Sequence, residues 1–280
     1  MKLQEPKSKV KPFLRWAGGK RWLTKSIVKY IPKSFNNYHE PFLGGGSIFL
    51  FLKSHNLIQG ESYLSDSNEE LINSYLQIRS NPQKIIESLS LLRNTKEDYY
   101  KIRSVKFESD LDKAIRFIYL NKTSFNGIYR VNLKGEYNVP YGFKKSNNLY
   151  DYENILKVSE LLKSNVKFSS NDFYNVLGNV KKNDLVFLDP PYTVAHENNG
   201  FVKYNQKIFM WEDQKRLAQL LDEITKKDAF FILTNAAHSS VNDLFSEYGK
   251  KRKVKRSSNI GGKGATRKQV SEYIFTNIRK

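Results

Sequence analysis

The stretch "DLVFLDPPYTV", Asp184–Val194, decides how the chain is read. Four consecutive apolar residues, Leu185 to Leu188, have the length and character of a strand buried on both faces. Asp189, two prolines and Tyr192 then close it. Asp189 and Pro190 each precede a proline, which pushes both toward extended backbone. The Asp189 carboxylate and the Pro190 carbonyl are then two acceptors converging beyond the carboxyl end of a strand, beside the flat face of Tyr192. A planar ring bearing an –NH2 group, such as a nucleobase with an exocyclic amine, matches that corner. The bland reading is an Asp that caps and prolines that merely end a strand.

Around that strand the chain alternates. Strands are expected at 37–42, 61–66, 166–169, 186–189, 229–235 and 270–277. Helices are expected at 68–79, 151–163, 211–227 and 239–247, and one begins in the apolar run after "LGGGS". Alternation of this kind implies an α/β fold, a Rossmann-like, mostly parallel sheet covered on both faces. Residues 82–123 interrupt it, helical in two or three pieces broken near Asn94 and Glu108–Asp110. A hairpin follows over 128–142, with its turn at Lys134-Gly135. The expected organisation is a catalytic domain from 1–70 and 165–280, with an inserted helical and β-hairpin domain over 71–164.

Charge narrows the partner. The 280 residues carry 47 Lys+Arg against 28 Asp+Glu, a net charge of +19. A polyanion is the matching partner, and nucleic acid is the default. The cations cluster in "KSKVKPFLRWAGGKR" (7–21) and "GKKRKVKR" (249–256). The second run also has the look of a nuclear import signal, though it lies in a strand-rich segment, where phosphate contact ranks first. No apolar run approaches the ~20 residues of a membrane span. The chain has no cysteine, so thiolate nucleophiles, disulfides and Cys-based zinc sites are excluded. His39, His55, His196 and His238 are scattered without metal-ligand spacing. No metal is expected.

"EPFLGGGS" (40–47) joins an expected strand to a helix through glycines. Such a turn lets backbone approach a ligand and offers free helix-terminal amides. Asp66 ends the next strand, where doubly wound folds place the acid that holds ribose hydroxyls. A tight turn with a capping Asp is the competing reading. The Gly-x-Gly-x-x-Gly and Walker spacings are absent, which favours a nucleoside held by its ribose without a pyrophosphate.

An aromatic amine is a poor nucleophile because its lone pair is delocalised into the ring. Two acceptors on its hydrogens aim the lone pair at an electrophilic methyl held in line. Positioning and aimed dipoles then supply the acceleration. A base in a duplex must first be flipped out of the stack.

Six segments, in order, resemble the Dam-type, alpha-group DNA adenine-N6 methyltransferases. They are "FLRWAGGKRWL" (13–23), "YHEPFLGGGSIF" (38–49), "LSDSNEELI" (64–72), "SFNGIYRVNLKGEYNVPYG" (124–142), "SSNDF" (169–173) and "VFLDPPY" (186–192). The resemblance implies S-adenosylmethionine as cofactor and double-stranded DNA as substrate. It implies that Trp16 and Lys20 contact the methionine part of the cofactor, with Glu40 and Phe42 lining the same pocket. Asp66 would hold the ribose, and Asp172 and Phe173 would lie by the cofactor adenine. Asp189, Pro190 and Tyr192 would form the amine corner, Asp189 also near the cofactor.

In the hairpin, Phe125, Asn126, Ile128, Arg130 and Pro140 match DNA-touching positions, and Lys144 falls at a less certain one. Arg130 has the fork that reads guanine O6 and N7. Ile128 is either a wedge behind a flipped base or ordinary hairpin packing. The resemblance also implies a GATC-like target, its G and A better supported than its last two bases, and a bacterial, phage- or plasmid-encoded cytoplasmic setting, on the nucleoid when bound to DNA; a monomer is the default, since no interface is readable in the sequence. The enzyme is either an orphan or the partner of a restriction endonuclease. The alternatives are a methyltransferase on an RNA base and a catalytically inactive DNA-binding module.

Overall fold

The expected buried strand is the centre of the sheet. In the computed structural model, which describes residues 9–143, 149–193, 209–257 and 269–279, Leu185–Leu188 forms β4, buried at every residue. β1 (Tyr38–Glu40) runs parallel on one side of it and β5 (Phe230–Ala236) parallel on the other. With β2 (Ser62–Asp66), β3 (Val166–Ser170), β6 (Lys250–Ser257) and β7 (Gln269–Thr276), the described strands form one sheet in the order β3-β2-β1-β4-β5-β7-β6. β1 and β2 pair in parallel, whereas β7 runs antiparallel to β5 and to β6. The expected mostly parallel α/β sheet is therefore present. The basic run 250–256 lies on its edge strand β6.

The described residues fall into two compact units. One takes those up to Thr24, with Leu43–Leu57 and Ser65–Asn171; the other takes Lys25–Phe42, Ile58–Leu64 and those from Asp172 on. In the first unit, α2 (Ser47–Ser54), α3 (Glu69–Ser80), α4 (Pro82–Leu91), α5 (Lys96–Ser104), α6 (Asp110–Thr123) and α7 (Tyr152–Leu162) bury apolar stripes on one another. A single turn, α1 (Thr24–Ile27), precedes them in the chain. Their caps explain the boundaries. The side chains of Asn68, Thr95, Ser109 and Asp151 each accept from a backbone N–H in the first turn. The interrupted helical block therefore resolves into three helices broken at the expected places. Over 128–142 the hairpin closes by one isolated bridge, Val131–Tyr137, rather than a ladder. Side-chain anchors replace the missing rungs. Tyr137 donates to the Ile128 carbonyl and accepts from the Ser124 hydroxyl, Tyr141 donates to Asn94, and Tyr99 donates to the Val139 carbonyl.

In the second unit, α8 (Trp211–Lys226) and α9 (Ser239–Phe245) pack on the sheet. Leu217, Leu221, Phe231, Phe245 and Phe275 are among the core they share. The amino end of β4 carries a buried polar anchor. Asp184, fully buried, accepts from His39 Nε2 at 2.8 Å, from the Asn37 N–H at 3.0 Å and from the Lys181 N–H at 3.0 Å. His39 stacks flat on Tyr63, ring centroids 4.8 Å apart. Burial pushes the Asp184 carboxyl up, but the bonds from His39, Lys181 and Asn37 outweigh it and hold the pKa below the ordinary carboxylate value. No helix among the described residues is long and apolar enough to cross a membrane.

A depressed carboxyl pKa stabilises the fold above the unfolded-state value, near about 4, and that contribution is lost as pH falls. Asp184→Asn is expected to cost about 3 kcal/mol at neutral pH by turning an amide N–H toward donors. The fall in melting temperature below about pH 4 should also be shallower in the variant. Thermal unfolding across a pH series, followed by circular dichroism, checks both.

Candidate active site

Strand order reverses between β1 and β4, and in open parallel sheets ligands gather beyond the carboxyl ends of strands at such a point. Asp189 leaves β4 there, and its Oδ1 accepts from Thr234 Oγ1 of β5 at 2.7 Å. Thr234 is itself fully buried. Pro190 is buried and Tyr192 half-buried. Tyr192 donates its hydroxyl to Glu272 Oε2 of β7 at 2.7 Å, and Arg256 Nε of β6 pairs with Oε1 of the same carboxylate. Burial pushes the Tyr192 phenol well above its ordinary pKa, and the charges of Glu272 and Asp189 add to this, so the hydroxyl remains a donor. A second buried chain backs the loop. Asn235 Nδ2 donates to Gln214, Gln214 Nε2 donates to Thr193 Oγ1, and Thr193 Oγ1 donates to the Phe209 carbonyl.

The same unit carries four other expected residues. Glu40, 3% exposed at the end of β1, accepts from Tyr38 at 2.7 Å. The Tyr38 phenol is pushed up by burial and by that carboxylate. Phe42 stacks on Phe173 with centroids 5.1 Å apart, so the rings are in direct contact and no planar group fits between them. Asp172 is exposed and held by a guanidinium fork, Arg216 Nη2 to Oδ1 at 2.7 Å and Nη1 to Oδ2 at 3.2 Å. Arg216 also lies 4.9 Å over the Phe173 ring.

The first unit holds the rest. Asp66 Oδ2 accepts from the Gly44 N–H at 3.0 Å and Oδ1 from the Asn68 N–H at 3.1 Å. Burial raises its carboxyl pKa, with these backbone bonds in opposition. Gly44 and Gly46 both have left-handed φ, 48° and 62°. A Cβ on Gly44 would stand 2.7 Å from the Trp16 indole, and one on Gly46 would stand 2.7 Å from the Tyr75 hydroxyl. The glycines thus admit two aromatic side chains of the same unit, a demand separate from any ligand. Trp16 stacks on Tyr129 with centroids 5.9 Å apart. Lys20 is buried and donates to the Gly18 carbonyl at 2.8 Å. Asn171 Oδ1 is buried without a hydrogen-bond partner among the described residues.

On the hairpin side, Phe125, Asn126, Arg130 and Pro140 are exposed and Ile128 is half-buried. Arg130 lies along the hairpin, donating through Nε to Asn138 Oδ1 at 2.7 Å. Lys144 lies outside the described residues. Among the described residues no group of three or more His, Asp or Glu is placed to hold a metal ion.

Sequence reasoning missed Thr234, Glu272, Arg256, Arg216 and Gln214. A signal existed for two of them. Thr234 ends an otherwise apolar run, "FFILT", and Glu272 is a lone acid within the strand "VSEYIFT". Polar groups on buried strands require partners, although the sequence does not say which.

Residues 16–259 match the profile of a family described as D12 class N6 adenine-specific DNA methyltransferase. The chain is 34% identical over 284 residues to the Type II methyltransferase M1.LlaDCHI of Lactococcus lactis subsp. cremoris, covering 98% of each chain. It is 37% identical over 288 residues to the Type II methyltransferase M.MjaIII of Methanocaldococcus jannaschii, covering 96% of this chain and 99% of that one. It is 31% identical over 278 residues to a DNA adenine methylase of Haemophilus influenzae, covering 96% and 94%.

Gly44→Ala combines a left-handed backbone with a collision against Trp16. The expected cost is about 2 kcal/mol in denaturant unfolding, with Trp16 fluorescence reporting the displaced indole.

Proposed function

The chain belongs to the D12 class N6 adenine-specific DNA methyltransferases, and we propose how its residues divide the work of that reaction. The enzyme transfers a methyl group to N6 of adenine in DNA. S-adenosylmethionine is the proposed donor, and when bound it supplies an electrophilic methyl. Three features of the chain fit it. Asp66 stands at the end of β2 with its carboxylate oriented by backbone N–H groups. Gly46, the N-cap of helix α2, has no side chain to bond the helix's first amides. Asn171, beside Asp172, carries a buried carbonyl oxygen without a partner among the described residues. Asp66 takes the ribose hydroxyls, while Asp172 and Phe173 lie by the donor's adenine. Trp16, Lys20, Glu40 and Phe42 serve its methionine part.

The observation that carries the reading is the bond between Thr234 and Asp189, which holds an acid at the carboxyl end of the central strand. One carboxylate oxygen is spent on Thr234. That bond orients the Asp189 carboxylate, the proposed acceptor for the N6 hydrogens alongside the Pro190 carbonyl, and Tyr192 supplies a face for the flipped base. Orienting the amine lone pair in this way stabilises the geometry of attack rather than the resting base.

Residues 71–164 are the proposed target-recognition domain, with 1–70 and 165–280 catalytic. Phe125, Asn126, Ile128, Arg130 and Pro140 meet the duplex, and Arg130 reads a guanine. The proposed target begins with G-A, as in GATC. The enzyme acts as a monomer in the cytoplasm, with or without a cognate endonuclease.

Labelled methyl donor and defined duplexes test the reading. Label is expected on a GATC duplex, and none on a scrambled duplex or on one already N6-methylated in both strands. Equal label at adenine in the scrambled duplex would remove GATC. In the same assay Asp189→Ala is expected to lose methyl transfer with its fold intact by circular dichroism; retained turnover would sink its acceptor role. Arg130→Ala is expected to relax discrimination at one base pair by about 1–3 kcal/mol, read from kcat/KM on single-substitution duplexes.

A further inference from the structure

The acceptor corner uses the ring of Tyr192 but leaves its hydroxyl without a task. That hydroxyl is not idle: it donates to Glu272 Oε2 at 2.7 Å. Glu272 is 1% exposed on β7, and its second oxygen receives Arg256 from β6. A buried phenol needs one acceptor, and a neutral carbonyl would satisfy it. A carboxylate taken out of water is a costly choice and persists only with a countercharge and further hydrogen bonds. Here both are present. Arg256 is drawn inward from a strand whose neighbours Lys253 and Lys255 remain exposed.

We propose that Glu272 is a positioning residue for methyl transfer: its carboxylate, paired with Arg256, clamps the Tyr192 hydroxyl and fixes the position of the ring that receives the target adenine. The proposal rests on the reading of Tyr192 as part of the amine corner. Tyr192 sits on a loop, and an anchor at the far end of its side chain restrains the χ1 swing that would carry the ring out of place. A displacement of about 1 Å at a reacting group can cost on the order of 100-fold in rate. The clamp has an electronic consequence too. A phenol donating to a carboxylate enriches its own π-face, and the adenine nitrogen gains positive charge as its bond to the methyl forms.

The alternative is that Glu272 and Arg256 only tie β6 to β7, and kinetics separate the two. Single-turnover methyl transfer, KM for duplex and donor, and melting temperature are measured for Tyr192→Phe, Glu272→Gln, the double variant and Tyr192→Ala. Tyr192→Phe and Glu272→Gln should each slow transfer about tenfold or more, with both KM values within about threefold of the parent. The double variant should be no slower than the slower single, because both changes break one contact. Losses that multiply, or Tyr192→Phe at the parental rate, overturn the proposal. Tyr192→Phe leaves the Glu272–Arg256 pair in place, so it decides the question even if Glu272→Gln does not fold. If Tyr192→Ala also keeps the parental rate, the catalytic reading of Tyr192 falls with it. If Tyr192→Ala is inactive and Tyr192→Phe is not, only the role of Glu272 falls.

Discussion

The arrangement of polar groups depends on β4 being paired on both sides and buried on both faces. A strand so placed cannot meet a polar side chain along its length without desolvating it. All of its polar chemistry is therefore driven to its two ends. At the amino end Asp184 gathers His39, Asn37 and the Lys181 N–H, and at the carboxyl end Asp189 is met by Thr234. The first acid is saturated with donors and serves the fold. The second meets Thr234 of the neighbouring strand and lies where the strand order reverses, the place where ligands gather in open parallel sheets.

The antiparallel addition at the sheet edge has a consequence for that chemistry. β7 runs against β5, which places Glu272 opposite Ala236, level with the carboxyl ends of the parallel strands. On β6, Val254 is the register partner of Glu272, and Arg256, opposite Val270, reaches the Glu272 carboxylate diagonally. Two strands far along the chain thus deliver an ion pair to a tyrosine on the loop after β4. The basic character of β6, which composition attributes to a polyanionic partner, is in one residue directed inward.

Glycines in the loop after β1 illustrate how one residue type serves two demands. A Gly-rich turn before a helix was readable as a place where backbone approaches a ligand. In the structure Gly44 and Gly46 also admit Trp16 and the Tyr75 hydroxyl. The first demand belongs to the motif and is visible in sequence. The second is a collision between residues far apart in the chain, which no local pattern reports.

The sequence by itself determined most of the strands and helices, though not the edge strand β6, because period and capping are local: Leu185–Leu188 reads as buried wherever it is placed, and Ser109 or Asp151 caps whatever helix follows it. It also determined the chemical type of the corner, since Asp-Pro-Pro-Tyr carries its acceptors and its ring in one short segment. Only the tertiary structure decided which groups hold that corner. Thr234, Glu272 and Arg256 are 45, 80 and 16 residues from the partners they meet, Asp189, Tyr192 and Glu272. A hydrogen bond is set by direction and distance in space, and strand order, not sequence spacing, fixes both.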